Sequence, residues 1–371
     1  MNKPVKIRLH VVSPVHIGCD EVYEPTNFVM DEQKKRLIEF DPVDFVKALT
    51  QKEREEFGRI TAGDNLLAIF KAIKRFYKPA VKGREVAITD HLAEHYRKIL
   101  SMGTFDKKAV INQFTIHKTA FNSQANLPYI PGSSLKGALR TGYLSALAAV
   151  REIKGWRGKA DELESKLLAR KAGKEKIPSD PFRLVKISDL MPAGDVRTKI
   201  IYAVNRKKQK SDKETLAGRG GVYQIFETVE VGSRFEGTIT VEEPVPGSPI
   251  LQKIDLKLLL QCAHKHYARN LKEEITPLHE SLDIKHMGGI NANSKFKDEF
   301  KNTAFLIRLG RHSGAEAVTI EGNRYIKIMQ GRDKSDLHKN HATTFWLASD
   351  SPKPANNNGL IPLGWAVLEV V

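Results

Sequence analysis

Apolar and polar residues alternate through VKIRLHVV, Val5 to Val12: Val5, Ile7, Leu9 and Val11 share one face, and Lys6, Arg8 and His10 the other. A period of two predicts a half-buried β-strand. SPVHIG ends it, because Pro14 and Gly18 interrupt a strand ladder. TNFVMD and RLIEF, separated by the polar DEQKK, then predict a hairpin. Asp41 as N-cap and Pro42 in the first turn predict a helix over DPVDFVKALT. From about residue 50 to 100 the pattern is helical and charged, and it reads as an insertion packed on a sheet. Within it Lys74, Arg75, Phe76, Tyr77 and Lys78 interleave cations with aromatics, but Phe70, Ile73 and Tyr77 form one apolar stripe, which assigns the rings to core or interface.

A further helix is expected from near Ser134. The segment after it, residues 151–176, is mainly basic without strong period and reads as a solvated helix or mobile loop. Residues 205–221 hold six basic and two acidic side chains with three glycines, the composition of a second mobile loop. Strand patterns return at VYQIFETVEV and RFEGTITVEE, a helix at KIDLKLLLQCAHKHYARNLKEE, and strands at TAFLIRL, RYIKIM, TTFWLAS and LGWAVLEVV. Strand, hairpin, helix and strand twice over predict an α+β fold of two ferredoxin-like, RRM-like units, residues 1–180 with a helical insertion at about 50–125, and residues 181–371. No short-period repeat is present.

Composition narrows the partner. With 60 Lys+Arg against 44 Asp+Glu the formal net charge is +16, which favours a polyanion. The basic residues are scattered between elements and not gathered on one amphipathic segment, so nucleic acid is the expectation over a membrane surface. The N-terminus alternates charge with apolar residues, unlike a secretory signal, and no later stretch is apolar enough to span a membrane. Cys19 and Cys262 lack metal-ligand or redox spacing, so a reducing, cytoplasmic location is expected. The histidines form close pairs without an HExxH or Cys/His set, so neither a metal nor another cofactor is expected.

The most informative stretch is IPGSSLKGALRTGYL, residues 130–144. Pro131 keeps Ile130 extended, Ser133 or Ser134 can cap the helix, and Leu135, Ala138 and Leu139 give it a buried stripe. Ser133, Lys136, Gly137 and Arg140 form the polar stripe, so hydroxyl, ammonium and guanidinium emerge together at a helix start that already attracts anions. Gly132 and Gly137 would let a ligand approach the backbone. Phosphate uses all these features. A nucleotide-binding P-loop is excluded, because no Gly-Lys-Ser/Thr triplet follows at the required offset. In RLGRHSG, residues 308–314, two glycines let successive N–H groups form a nest, with Arg311 and His312 at its tip.

IPGSSLKGALR resembles a hallmark of the RAMP superfamily of CRISPR-associated RNA-binding proteins, and SPVHIG, DPFRLVKISD (residues 180–189) and RLGRHSG extend that resemblance over almost the whole chain. Within the superfamily the chain looks most like the fifth, end-cap subunits of Csm-type (type III-A) effector complexes. The resemblance implies a non-catalytic subunit that binds CRISPR guide RNA near its 3′ part, caps the backbone filament beside a neighbouring RAMP subunit, and assists guide maturation and assembly. It leaves host nucleases open as further partners. The implied RNA contacts are Gly132, Ser133, Ser134, Lys136, Gly137 and Arg140, then Gly310, Arg311, His312, Ser313 and Gly314, with His16 beside them. Arg206, Lys207, Lys208 and Lys210 are secondary contacts.

Two enzymatic readings compete. Some RAMP relatives are metal-independent endoribonucleases with a histidine near the first strand, which makes His16 the alternative catalytic base, with His117 and Lys118 as possible companions. Filament subunits cleave target RNA with a loop aspartate, for which Asp20 and Asp31 are the available carboxylates, though neither lies in a matching stretch. Cys19, Asp20 and Glu21 follow SPVHIG, where two carboxylates would repel phosphate.

Overall fold

The computed structural model describes residues 3–63, 65–103, 114–209, 222–285, 296–300, 302–328, 335 and 337–371. In chain order the strands are β1 (Val5–Val11), β2 (Gly18–Val22), β3 (Phe28–Asp31), β4 (Arg36–Phe40), β5 (Gly83–Ile88), β6 (Ile116–Thr119), β7 (Phe121–Asn122), β8 (Leu127–Pro128), β9 (Val185–Ile187) and β10 (Met191–Pro192). There follow β11 (Thr198–Lys207), β12 (Tyr223–Val229), β13 (Arg234–Val241), β14 (Ala304–Arg308), β15 (Ile326–Ile328), β16 (Leu337–Lys339), β17 (Thr344–Ser349), β18 (Ile361–Pro362) and β19 (Trp365–Val370). The α-helices are α1 (Pro42–Ala48), α2 (Gln51–Thr61), α3 (Leu66–Phe76), α4 (Asp90–Ser101), α5 (Gly132–Val150), α6 (Ala160–Leu167) and α7 (Leu256–Glu280).

The alternation of β1 has its expected outcome, with Ile7, Leu9 and Val11 buried. Its outer face is partnered across the sheet, where Arg8 pairs with Glu236 of β13 at 2.6 Å and His10 Nε2 lies 2.8 Å from Glu369 of β19, diagonally across the register. β1 lies at the centre of an antiparallel sheet of order β10-β13-β1-β19-β14, with β9 also on β13. α5 and α7 cover this sheet. They cross where Gly142 meets Ala263 so closely that a Cβ on Gly142 would sit 2.5 Å from the Ala263 Cα. The buried ion pair Arg308–Glu274 and a bond from the Leu306 amide to His264 Nδ1 (3.0 Å) tie β14 to α7.

The larger, mixed sheet runs β2-β6-β12-β11-β5-β4-β3. β11 forks it: Lys199 and Ile200 pair in parallel with β5, whereas Tyr202 to Lys207 pair antiparallel with β17. One continuous core joins both sheets, from Ile7 and Leu9 to Tyr202 and Leu347. Asp41 caps α1 as expected, accepting from the Val43 amide at 2.7 Å.

Three expectations need revision. The segment from residue 50 to 100 is not wholly helical, because GREVAI forms β5 and adds to the larger sheet. The basic stretch after α5 is anchored, since α6 buries Leu163 and Leu167. The expected units, 1–180 and 181–371, do not own separate sheets: β1 pairs with β13 and β19, and β6 with β12. Both halves build each sheet.

Candidate nucleic-acid interface

Two loops from opposite ends of the chain close on each other beside the larger sheet. Gly310 (φ +82°) and Gly314 (φ +88°) turn the RLGRHSG loop, and a Cβ on Gly310 would collide with the His16 carbonyl. That carbonyl accepts from the Arg311 amide at 2.9 Å, while the Gly364 amide donates to the Pro14 carbonyl at 2.9 Å. The expected anion nest is therefore altered: the Arg311 N–H is committed to SPVHIG, and Gly310 serves a close backbone approach. Ser313 is buried. The Arg311 side chain stays exposed, without an ion pair among the described residues.

His312 adopts φ +65°, a left-handed conformation uncommon for a residue with a Cβ. Its ring lies 5.4 Å from Phe226 and 4.6 Å from Trp346, and its Nε2 bonds Gln224 Oε1 at 2.9 Å. Burial lowers its pKa to about 3, with Arg311 adding to the shift. His16 is 1% exposed. Its Nδ1–H donates to the Glu227 carbonyl at 2.7 Å, which leaves Nε2 as an unprotonated acceptor without a described partner. Burial lowers its pKa to about 4, followed in the same direction by Arg311 and His117. His117, opposite Phe226 on β6, is lowered by burial and then by Arg311. The structure thus brings His16, His117, Arg311 and His312 together. The His16 ring is buried and the His312 ring partly buried, and burial is the first cause of the lowered pKa of each.

The start of α5 differs more from expectation. Neither Ser133 nor Ser134 caps it; Pro131 is the N-cap, and the Gly132 amide donates to Asp189 Oδ1 at 2.8 Å. A carboxylate from the end of DPFRLVKISD occupies the place expected for phosphate, as the positive end of a helix favours. Gly132 is glycine because a Cβ would strike the Ile187 and Ser188 carbonyls. Arg140 is not free. Its guanidinium bonds Glu164 at 2.7 Å and Asp180 at 2.8 Å and lies over Phe182. Ser133 and Gly137 are exposed, Ser134 is partly buried, and a Cβ on Gly137 would meet nothing. Lys136 is half-buried, and burial, then Lys186, lowers the pKa of its ammonium.

Of the secondary cations, Arg206 bonds Asn357 Oδ1 at 3.1 Å and Lys208 pairs with Glu316 at 2.6 Å, so both are held by the fold. Lys207 is exposed at the end of β11. Lys210 lies outside the described residues. Sequence reasoning missed Phe226, Gln224 and Trp346, although the alternation in TTFWLAS sets Trp346 on the face opposite Phe345 and Leu347. Among the described residues no His, Cys, Asp and Glu cluster is arranged to hold a metal ion, and no helix is long and apolar enough to cross a membrane.

Two clamped loops, an aromatic sheet face and α5 set closely against the end of β9 through Gly132 make up this region. Residues 8–308 match the model of the RAMP superfamily, and the chain belongs to that superfamily. More narrowly, it is 26% identical over 217 residues to the CRISPR system protein Csm5 of Methanocaldococcus jannaschii, covering 56% of this chain and 48% of that one. It is 26% identical over 221 residues to Csm5 of Streptococcus thermophilus, covering 55% and 57%. The matches thus span about half the length of these relatives. The fold is similar to a chain in a cryo-EM structure of a type III-A Csm–crRNA–target RNA ternary complex, with TM-score 0.58 and 17% identity over 99% of this chain and all of that one. It is also similar to the crystal structure of T. onnurineus Csm5, with TM-score 0.50 and 17% identity over 97% and 99%.

Proposed function

We propose that this chain is a non-catalytic, guide-RNA-binding subunit that caps the backbone filament of a type III-A effector complex, near the 3′ part of the guide, and assists guide maturation and assembly. The observation that carries the reading is the exposed Arg311, raised on a loop that SPVHIG clamps from the far end of the chain. Similarity to Csm5 proteins supports the assembly it would join. Arg311 and Lys207 would take backbone phosphates, with Ser133 and Lys136 as a second contact on α5. Arg140 has the different role of holding α5 to Asp180 and Glu164. A neighbouring RAMP subunit is the expected protein partner.

His16 speaks for binding over cleavage. A general base must reach a 2′-hydroxyl, whereas this ring is buried behind the two loops with its Nδ1 committed to the backbone.

The test is a titration of labelled guide RNA at several salt concentrations. Arg311→Ala should weaken binding several-fold and reduce the slope of log affinity against log salt by about one. An unchanged slope and affinity overturn the assignment. Site-specific cleavage of precursor RNA without divalent metal, lost in His16→Ala, overturns the non-catalytic reading.

A further inference from the structure

Four rings run in line along one face of the larger sheet and the loops packed on it. His16 and Phe226 are 4.6 Å apart, Phe226 and His312 5.4 Å, and His312 and Trp346 4.6 Å, with interplanar angles of 34°, 25° and 31°. His16 and Phe226 are enclosed by the loops and sheet, and His312 is partly buried. Trp346 ends the row half-buried, and it borders, with His312, a cleft of about 1020 Å³ between β11, β17 and the C-terminal half of α7. Among the described residues the row therefore stops at an aromatic surface that borders the cleft.

Charge around the cleft is asymmetric. In the β11–β17 register Asn205 faces Trp346 and Lys207 faces Thr344, so the exposed Lys207 lies diagonally beside the indole on the same sheet face. Arg311, also exposed, stands next to His312. On the opposite wall Glu280 of α7 is exposed without an ion pair among the described residues, while Glu273 is paired with Arg269 and Arg324. A polyanion entering this space would keep its phosphates on the Lys207 and Arg311 side, away from the unpaired carboxylate of Glu280. What points inward must then be uncharged and flat enough to continue a row of rings.

We propose that Trp346 is a stacking platform for one unpaired nucleobase of a bound RNA strand, with Lys207 and Arg311 holding the phosphates that flank it. This rests on the RNA-binding reading above and adds the place where a base, as distinct from the backbone, is held. Stacking on an aromatic ring tolerates any base, so the site would carry little sequence preference.

The experiment compares the full chain and its Trp346→Ala and Trp346→Phe variants in binding to an oligouridine and to an abasic ribose-phosphate oligomer of equal length. The wild-type chain should prefer the oligouridine by roughly tenfold. Trp346→Ala should lose that preference while keeping its affinity for the abasic oligomer, and Trp346→Phe should keep most of it. Equal wild-type affinity for the two oligomers overturns the platform but leaves phosphate binding standing. Absence of binding to either oligomer overturns both readings. Equal losses on both oligomers in Trp346→Ala mean a general structural effect and overturn the platform. A loss confined to association with a neighbouring protein subunit would assign the ring to a protein contact, with the same consequence.

Discussion

His312 and His16 carry a cost of location. Each ring is kept neutral by burial, with pKa values near 3 and 4 against an ordinary 6.5, and His95 and His266 are lowered to about 4 for the same first reason. An unfolded chain would take up protons below its unperturbed pKa that the folded chain refuses until these lower values. The stability contributed by keeping these rings neutral is therefore fully present above about pH 6.5 and is lost as the pH falls toward 4. Urea midpoints measured across that window should drop steadily, and His312→Gln should flatten part of the decline by removing one of the contributing rings. A midpoint independent of pH there would contradict the burial of these groups. The same scale shows what one sequence conceals. Arg140 reads as a ligand-facing cation, but its carboxylate partners stand 24 and 40 residues away, and nothing local announces them.

Among the elements, α5 separates glycines by what surrounds them. Gly137 faces open space in a helix interior, so Gly137→Ala should raise stability by about 0.5–1 kcal/mol. Gly142, pressed against the Ala263 backbone of α7, should respond in the opposite direction, with Gly142→Ala losing about 1–3 kcal/mol through forced separation of the two helices. Thermal melts of the two variants check both signs. Periodicity made most elements legible: β1, the β3–β4 hairpin, the Asp41-capped α1 and the buried β19 follow the alternation and capping signals in their own residues. β5 was not legible, because six residues embedded among helices carry too little pattern to outweigh their neighbours. The cap of α5 was hidden for another reason: Asp189 reaches Gly132 only because β9 returns beside the helix start.

For the molecule as a whole, the excess of 16 positive charges remains a statement about partners, while the pairings of Arg8, Arg140, Lys208 and Arg308 show how many cations the fold itself absorbs. Superfamily membership was readable from four short motifs spread along the chain. Their joint geometry was not, since Arg311 meets His16 only through the closure of the smaller sheet. The row that ends at Trp346 was equally hidden, because His16 and His312 join it from loops outside β17.

The pairing of β1 with β19 also bears on how the polypeptide reaches its shape. Arg8 and Glu369 touch across 361 positions, so all the residues between them must be synthesised before the first strand acquires its second flank. Contacts so distant along the chain slow folding and leave an apolar ribbon available for wrong encounters in the interval. Pulse-labelled hydrogen exchange during refolding should find the amides from Ile7 to Val11 among the last to gain protection. Early protection of those amides would mean that the ribbon is sheltered by some other route.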